Sequence, residues 1–261
     1  LLDLGIENSI EIGTFSHLPG HTGLGSSSSF SVALMKGLHT ALGRNIDKRE
    51  AAEEACRLEI DLVGDPIGKQ DQYAAALGGF NVLEFRPDES VMIDPVLLDY
   101  ERRHGFEHHL LLFFTGIHRP AASVLTEQRA NIERTRPTLQ AMADSVFEFR
   151  DRLLDGDFEG LGIMLQSAWE RKKTLSSSVS NPVIDGLYEA GITAGAWGGK
   201  ILGAGGGGCL LFLAPPEKHP VIRETIRRRA GQHSLYDFEE IPVRFAQSGV
   251  EMMVNSDQAT N

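Results

Sequence analysis

Cysteine is scarce, with Cys56 and Cys209 the only two in 261 residues, and neither belongs to a CxxC pair or a Cys/His spacing. That excludes a disulfide framework and a finger-type zinc site, and such usage predicts a reducing, cytoplasmic setting. No apolar run approaches the roughly 20 residues a membrane helix needs, so no membrane partner is expected. Positive charge is in deficit, 25 Lys+Arg against 36 Asp+Glu for a formal net charge of −11, which argues against general nucleic-acid binding. Also missing are a Gly-Lys-Ser/Thr after either glycine-rich stretch, the third glycine of a dinucleotide fingerprint and a GxSxG elbow. These absences exclude P-loop NTPases, Rossmann dehydrogenases and α/β-hydrolases. No internal repeat is present. The composition, 41% hydrophobic and 23% charged, is that of a globular protein with room for two modest cores, acting on small metabolites.

The glycines are concentrated. Leu18-Pro19-Gly20-His21-Thr22-Gly23-Leu24-Gly25 runs straight into Ser26-Ser27-Ser28-Ser29. Glycines let the backbone take positive φ and approach a ligand, and the serines fall where a helix leaves its first N–H groups unpaired. Those groups and the positive end of the helix dipole suit an anion, most simply the phosphates of a nucleotide. The plain alternative is a turn with a serine N-cap. Residues 6–15 alternate, Ile10, Ile12 and Thr14 against Ser9, Glu11 and Gly13, which predicts a half-buried strand feeding the turn. Phe30, Ala33, Leu34, Leu38, Ala41 and Leu42 predict a helix over residues 26–42 that buries this stripe and stops at Gly43.

A second helix is predicted from an Asp47 N-cap through residue 62, burying Ala52, Ala55, Cys56 and Val63. Glu59 shares that face, where a carboxylate needs a partner, either a salt-bridging cation or a metal ion; Glu53 and Glu54 face water. Gly64-Asp65-Pro66-Ile67-Gly68-Lys69-Gln70-Asp71-Gln72-Tyr73 is a loop entering a short alanine-rich helix that ends at Gly78-Gly79. Asp71 is either an acid favoured by the helix dipole or a base beside an attacking hydroxyl, with Lys69 near enough in sequence to tune it. A hairpin follows over residues 80–85 and 91–93. The polar run 99–109 reads as a domain junction, with His108 and His109 in it as junction residues rather than ligands. It divides a domain over residues 1–107 from one over 108–261. Residues 110–115 predict a buried strand, and helices follow a turn at residues 116–119, with Pro120 in the first turn. Arg171, Lys172 and Lys173 end the helical stretch, either complementing its dipole or binding an anionic group of a substrate. Lys200-Ile201-Leu202-Gly203-Ala204-Gly205-Gly206-Gly207-Gly208 abuts a strand at 209–213, so its glycines predict close backbone approach to a loop or ligand. A basic helix over 218–230 and a strand at 241–245 complete the pattern.

Together these segments resemble the small-molecule kinases named for galactokinase, homoserine kinase, mevalonate kinase and phosphomevalonate kinase (GHMP), over nearly the whole chain. Pro19-x-x-x-Gly23-Leu24-Gly25-Ser26-Ser27-Ser28 resembles the family's ATP-phosphate loop, and residues 200–208 its C-terminal glycine motif. The resemblance implies an α+β, two-domain fold, with an N-terminal domain like ribosomal protein S5 domain 2 and a ferredoxin-like C-terminal domain. It implies ATP and Mg²⁺ as cofactors. Pro19, Gly20, Gly23, Leu24, Gly25, Ser26, Ser27 and Ser28 would surround the triphosphate, Ser27 and Glu59 would ligate Mg²⁺, and Asp71 falls at the catalytic aspartate's position. The spacing Gly68-x-x-Asp71-Gln72 is closer to the galactokinase branch than to the mevalonate branch. Residues 64–73, 114–117 and 203–208 look most like the branch that phosphorylates the anomeric hydroxyl of D-glycero-D-manno-heptose 7-phosphate, toward nucleotide-activated heptose. The alternatives are another sugar 1-kinase, of fucose or galactose type, and a silent sugar or nucleotide sensor of the same fold. Lys69, Arg119, Lys172, Lys173, Gly205 and Gly206 are the expected contacts to the sugar phosphate. Two departures accompany the match. Leu202 stands where the family commonly has a hydroxyl residue. Nothing before Ser16 matches the family's opening strand and its basic motif, so several tens of residues are expected to precede Leu1.

Overall fold

The computed structural model describes residues 1–7, 9–16, 22–119 and 121–253. Helix α1 (Ser26–Ala41) starts at Gly25, whose φ of 69° turns the chain directly into the helix, and no side chain among the described residues caps its N-terminus. It ends as expected, with Gly43 at φ 72°. The buried face, however, is not the expected stripe. Ser28, Ser31, Val32, Met35, Leu38 and His39 are buried, while Phe30 is 48% exposed and Leu42 is exposed too. α1 carries apolar residues on two sides, and it is packing against α2 and α3 that chooses between them.

α2 (Lys48–Cys56) opens with a reciprocal capping box. The Asp47 carboxylate accepts from the Glu50 amide at 2.8 Å, and the Glu50 carboxylate accepts from the Asp47 amide at 2.6 Å. The helix runs without a break into a π-helical turn, Arg57–Leu62, marked by Val63 N–H donating to Leu58 C=O at 3.0 Å. The wider turn shifts the face by one residue: Glu59 stays buried, but Val63 lies outside, 63% exposed, against the α-helical expectation. α3 (Gln70–Leu77) packs back on both helices through Tyr73 and Ala76. Ala51, Ala52 and Ala55 line this core, and side chains this small let the helices approach closely. β1 (Phe80–Phe85) and β2 (Val91–Val96) form the antiparallel hairpin, with Phe80 opposite Val96.

The polar run taken as a junction is helical. Asp99 accepts from the Arg102 amide at 2.7 Å and caps α4 (Tyr100–His108), whose Phe106 is buried. β3 (Leu110–Phe114) is buried along its length, as its unbroken apolar run predicts. α5 (Ala121–Ala130), α6 (Ile132–Asp155), α7 (Phe158–Lys173) and α8 (Pro182–Thr193) follow, then β4 (Gly198–Ile201), β5 (Cys209–Leu213), α9 (His219–Gln232) and β6 (Glu239–Glu240). The second sheet is antiparallel in the order β4-β5-β3-β6. α7 lies directly on β4, where a Cβ on Gly198 would come within 1.9 Å of the Gly162 carbonyl oxygen. The final strand is shorter and earlier than expected. Only Glu239–Glu240 pair with β3; beyond them Ile241 N–H still reaches the Leu112 carbonyl at 2.8 Å, and no strand forms over residues 241–245.

Residues 9–16 likewise form no strand, and Ile10 and Ile12 are exposed. Alternation sets which side chains share a face, but a strand also needs a neighbour for its N–H and C=O groups, and neither described sheet extends to this segment. Two apolar clusters join the halves of the molecule. Phe106, Leu110 and Leu161 take in Phe80 and Leu98 from the hairpin side, and Leu112, Phe114 and Cys209 take in Leu24 from the glycine loop. The chain also returns to its first half, with Val250 N–H bonded to Ala76 C=O at 3.1 Å. No helix among the described residues is long and apolar enough to cross a membrane.

Candidate active site

The site is assembled where α1, the π turn, α3 and the β4–β5 turn meet. At the start of α1, Ser27 Oγ donates to Glu59 Oε1 at 2.5 Å, and from the other side Gln72 Nε2 donates to Glu59 Oε2 at 2.5 Å. Glu59 is 3% exposed and Gln72 fully buried. Both partners are neutral, and Glu59 forms no salt bridge among the described residues, so a buried negative charge is hydrogen-bonded but not electrically compensated. Among the described residues no group of three or more His, Cys, Asp or Glu could hold a metal. The donors here are a hydroxyl and a carboxylate. Hard oxygen ligands of this small number suit Mg²⁺, which takes its remaining ligands from water and substrate phosphates.

Asp71 is the second residue of α3, and its side chain lies against the glycine loop: a Cβ on Gly25 would sit 3.5 Å from Asp71 Cβ and 3.7 Å from Oδ2. Asp71 is exposed to solvent on one side, and packing on the Gly25 loop desolvates the other. This desolvation holds its carboxyl above the ordinary range; Gln70 opposes through a hydrogen bond, Glu59 adds to the rise and Lys172 opposes it. Lys69 does not tune it. Its ammonium goes to Glu89 Oε2 at 3.3 Å, and the cation that acts on Asp71 is Lys172, from the far end of α7.

The second glycine segment is a close-packed wall, as its position against β5 predicts. The Leu202 carbonyl oxygen is 3.0 Å from where a Cβ of Gly23 would stand, and a Cβ on Gly208 would lie 2.5 Å from the Thr22 carbonyl oxygen. Cys209 N–H donates to that Thr22 carbonyl at 3.0 Å. A Cβ on Gly205 or Gly206 would strike the backbone of Val179 or Ser178, each at 2.7 Å. Arg119 lies at the same seam, donating through Nη1 to the Ser178 carbonyl at 2.9 Å and through Nε to Ser123 Oγ at 3.3 Å. Glu127 holds the adjoining loop: its carboxylate accepts from Ser177 N–H at 3.0 Å and from Ser178 Oγ at 2.6 Å. Hydrogen bonding by Ser178 first, then by Ser176 and Ser177, depresses its pKa to about 2.

Lys172 is buried at 8% exposure and bonded to the carbonyls of Ile201 and Gly203. Lys173 turns elsewhere, to Glu170 at 2.9 Å and over the Trp169 ring, and does not join Lys172. Leu24 packs its side chain among Leu112, Phe114 and Cys209; Ser28 is buried, while Ser26 and Ser27 stand at the open N-terminus of α1. Pro19 and Gly20 lie outside the described residues, as do Leu18 and His21. Gln72, fully buried on Glu59, is a site residue that motif spacing alone does not single out. Its signal was available, since a long polar side chain next to Tyr73 on an alanine-rich helix must find a buried partner.

This fold, with a glycine loop opening α1 onto an acidic pair and a second glycine loop sealing it, is that of a small-molecule kinase. The GHMP kinases N terminal domain matches residues 2–79 and the GHMP kinases C terminal domain matches residues 149–232, and the chain belongs to the GHMP kinase family. It is 30% identical over 238 residues to the D-glycero-alpha-D-manno-heptose 7-phosphate kinase of Campylobacter jejuni, covering 90% of this chain and 70% of that one. A galactokinase of Mycobacterium tuberculosis is 29% identical over 261 residues, covering 87% and 68%. Among solved structures, a D-glycero-D-manno-heptose 1-phosphate kinase from Bacteroides thetaiotaomicron superposes with a TM-score of 0.69 at 26% identity, covering 90% of this chain. The chain spans 64% of the length of that structure.

Proposed function

We propose that this protein is an ATP-dependent sugar-phosphate kinase that transfers the γ-phosphoryl group to the anomeric hydroxyl of D-glycero-D-manno-heptose 7-phosphate. The observation that carries the reading is the placement of Asp71 against Gly25, beside the uncompensated Glu59–Ser27 pair at the N-terminus of α1. The 30% identity to the Campylobacter jejuni enzyme supports the sugar. The triphosphate lies over residues 23–28, where the uncapped amides of α1 meet its charge. Ser27 and Glu59 would hold Mg²⁺, which when bound would supply neutralisation of the phosphate charge. Asp71 accepts or orients the proton of the attacking hydroxyl, and desolvation, by raising its carboxyl above the ordinary range, makes it a stronger base than a free aspartate. Arg119, anchored beside Gly205 and Gly206, takes the sugar's distal phosphate. Lys69 and Lys173, engaged by Glu89 and Glu170, are left out of that role. The division near residue 107 into an ATP-binding and a C-terminal domain is part of the same reading, supported by separate cores around Val32 and Trp169. Both cysteines are buried and free, in keeping with a reducing cytoplasm.

ADP release across a panel of sugars and sugar phosphates tests the substrate. Turnover is expected to be greatest with the 7-phosphorylated heptose; preference for free galactose or fucose would replace the heptose assignment, and ATP binding without turnover on any acceptor would point to a sensor. Gln72 gives a second test, since it orients Glu59 as an outer partner of the metal. Gln72→Leu is expected to raise the Mg²⁺ concentration for half-maximal activity by about tenfold or more. An unchanged Mg²⁺ requirement would show that Glu59 is oriented without it.

A further inference from the structure

Lysine is seldom buried, because desolvating an ammonium is costly, and yet Lys172 lies buried beside this site. Lys172 comes from the last turn of α7, where the helix dipole favours a cation. Its Nζ donates to the carbonyls of Gly203 and, at 3.4 Å, of Ile201. Those carbonyls belong to the turn that leaves β4, the same turn whose Leu202 and Gly203 meet Gly23 in backbone contact. The charged groups that face Lys172 are Asp71 from α3 and Lys200 from β4. One ammonium thus connects the end of α7, the second glycine turn and the field around Asp71.

We propose that Lys172 is a positioning residue that fastens the turn after β4, and through it the Gly23 end of the phosphate loop, opposite the Asp71 carboxylate. The proposal rests on the roles given above to that loop and to Asp71. It sets Lys172 apart from a phosphate anchor, because its N–H groups are already directed to carbonyls and it has little surface left for a substrate dianion. Burial, reinforced by Lys200 and opposed by Asp71, pushes the ammonium down to about 7, so its charge depends on the anionic partner it faces. Lys200 is pushed down as well, by burial.

The test compares Lys172→Met and Lys172→Arg with the wild-type chain in MgADP affinity by titration calorimetry, in kcat and KM for the sugar phosphate, and in urea unfolding against pH. Lys172→Met is expected to weaken MgADP about tenfold and lower kcat about 100-fold while KM for the sugar phosphate stays within about threefold, with Lys172→Arg recovering a substantial part. Below its unfolded value a buried lysine of lowered pKa costs stability, so wild-type stability should rise with pH from about 7 toward 10 relative to Lys172→Met. MgADP affinity and kcat both within about threefold of wild type in Lys172→Met would overturn the proposal. So would a sugar-phosphate KM raised more than about tenfold at unchanged kcat, the mark of a substrate anchor. A Lys172→Met chain that fails to fold at pH 7 would also overturn it, by making the ammonium structural. A wild-type chain that turns over no acceptor defeats the kinase reading separately, and the MgADP comparison still decides the role of Lys172.

Discussion

Asp71→Asn is expected to lower kcat by about 1,000-fold, some 4 kcal/mol of transition-state stabilisation, with KM for ATP within about threefold of wild type. Asparagine keeps the shape that packs on Gly25 and removes the charge and the proton acceptor. The pH profile supplies the second readout. Because desolvation and Glu59 raise the Asp71 carboxyl, the acid limb of kcat/KM in the wild type should lie above the usual carboxylate range, and Asp71→Asn should lose that limb. Stability should move oppositely to activity. A carboxyl with a raised folded pKa binds protons more readily in the native state, so stability falls as pH rises through the interval between the unfolded and folded values. At neutral pH the Asn variant should therefore unfold at a urea concentration equal to or above that of the wild type, and the difference should vanish in acid. Near-wild-type kcat in a folded Asp71→Asn protein would remove Asp71 from the chemistry.

The sequence marked the parts of this site unevenly, for physical reasons. Short-range rules held where a few neighbouring residues decide the outcome. Asp47 and Glu50 make a capping box on their own, and the apolar run of β3 can hardly be anything but a buried strand. Glu59 was recognisable as a buried carboxylate because helical spacing alone puts it among Ala55 and Cys56. What escaped depends on partners distant in the chain. The choice of face on α1 is made by the alanine-lined surfaces of α2 and α3, and the π turn that expels Val63 while keeping Glu59 inside departs from the α-helical spacing on which the expectation rested. Residues 9–16 alternate correctly and still form no strand, since pairing is a property of two segments. Lys69 and Lys172 show the same distinction in electrostatics. The lysine two residues from Asp71 faces Glu89, and the one that acts on it arrives from the end of α7.

Glu59→Gln is expected to separate metal binding from folding. The side chain is buried between a serine hydroxyl and a glutamine amide, with no salt-bridging cation among the described residues. A structural carboxylate would be expected to carry its own counter-charge, because an uncompensated buried charge costs several kcal/mol. Removing that charge should therefore leave the ligand-free protein as stable as the wild type or more so. The buried amides can also accommodate the change: among the described residues Gln72 Oε1 has no hydrogen-bond partner, so turning the Gln72 amide over would present an acceptor to the new NH₂ group. Function should respond in the other direction. With one of its two protein oxygens made neutral, Mg²⁺ should bind about 100-fold more weakly in the nucleotide complex. ATP affinity titrated with and without Mg²⁺ measures this directly: the wild type should gain affinity with the ion, and Glu59→Gln should gain little. If the variant instead unfolds more easily and retains the wild-type response to Mg²⁺, Glu59 is a structural carboxylate that orients Ser27, and the metal is held elsewhere.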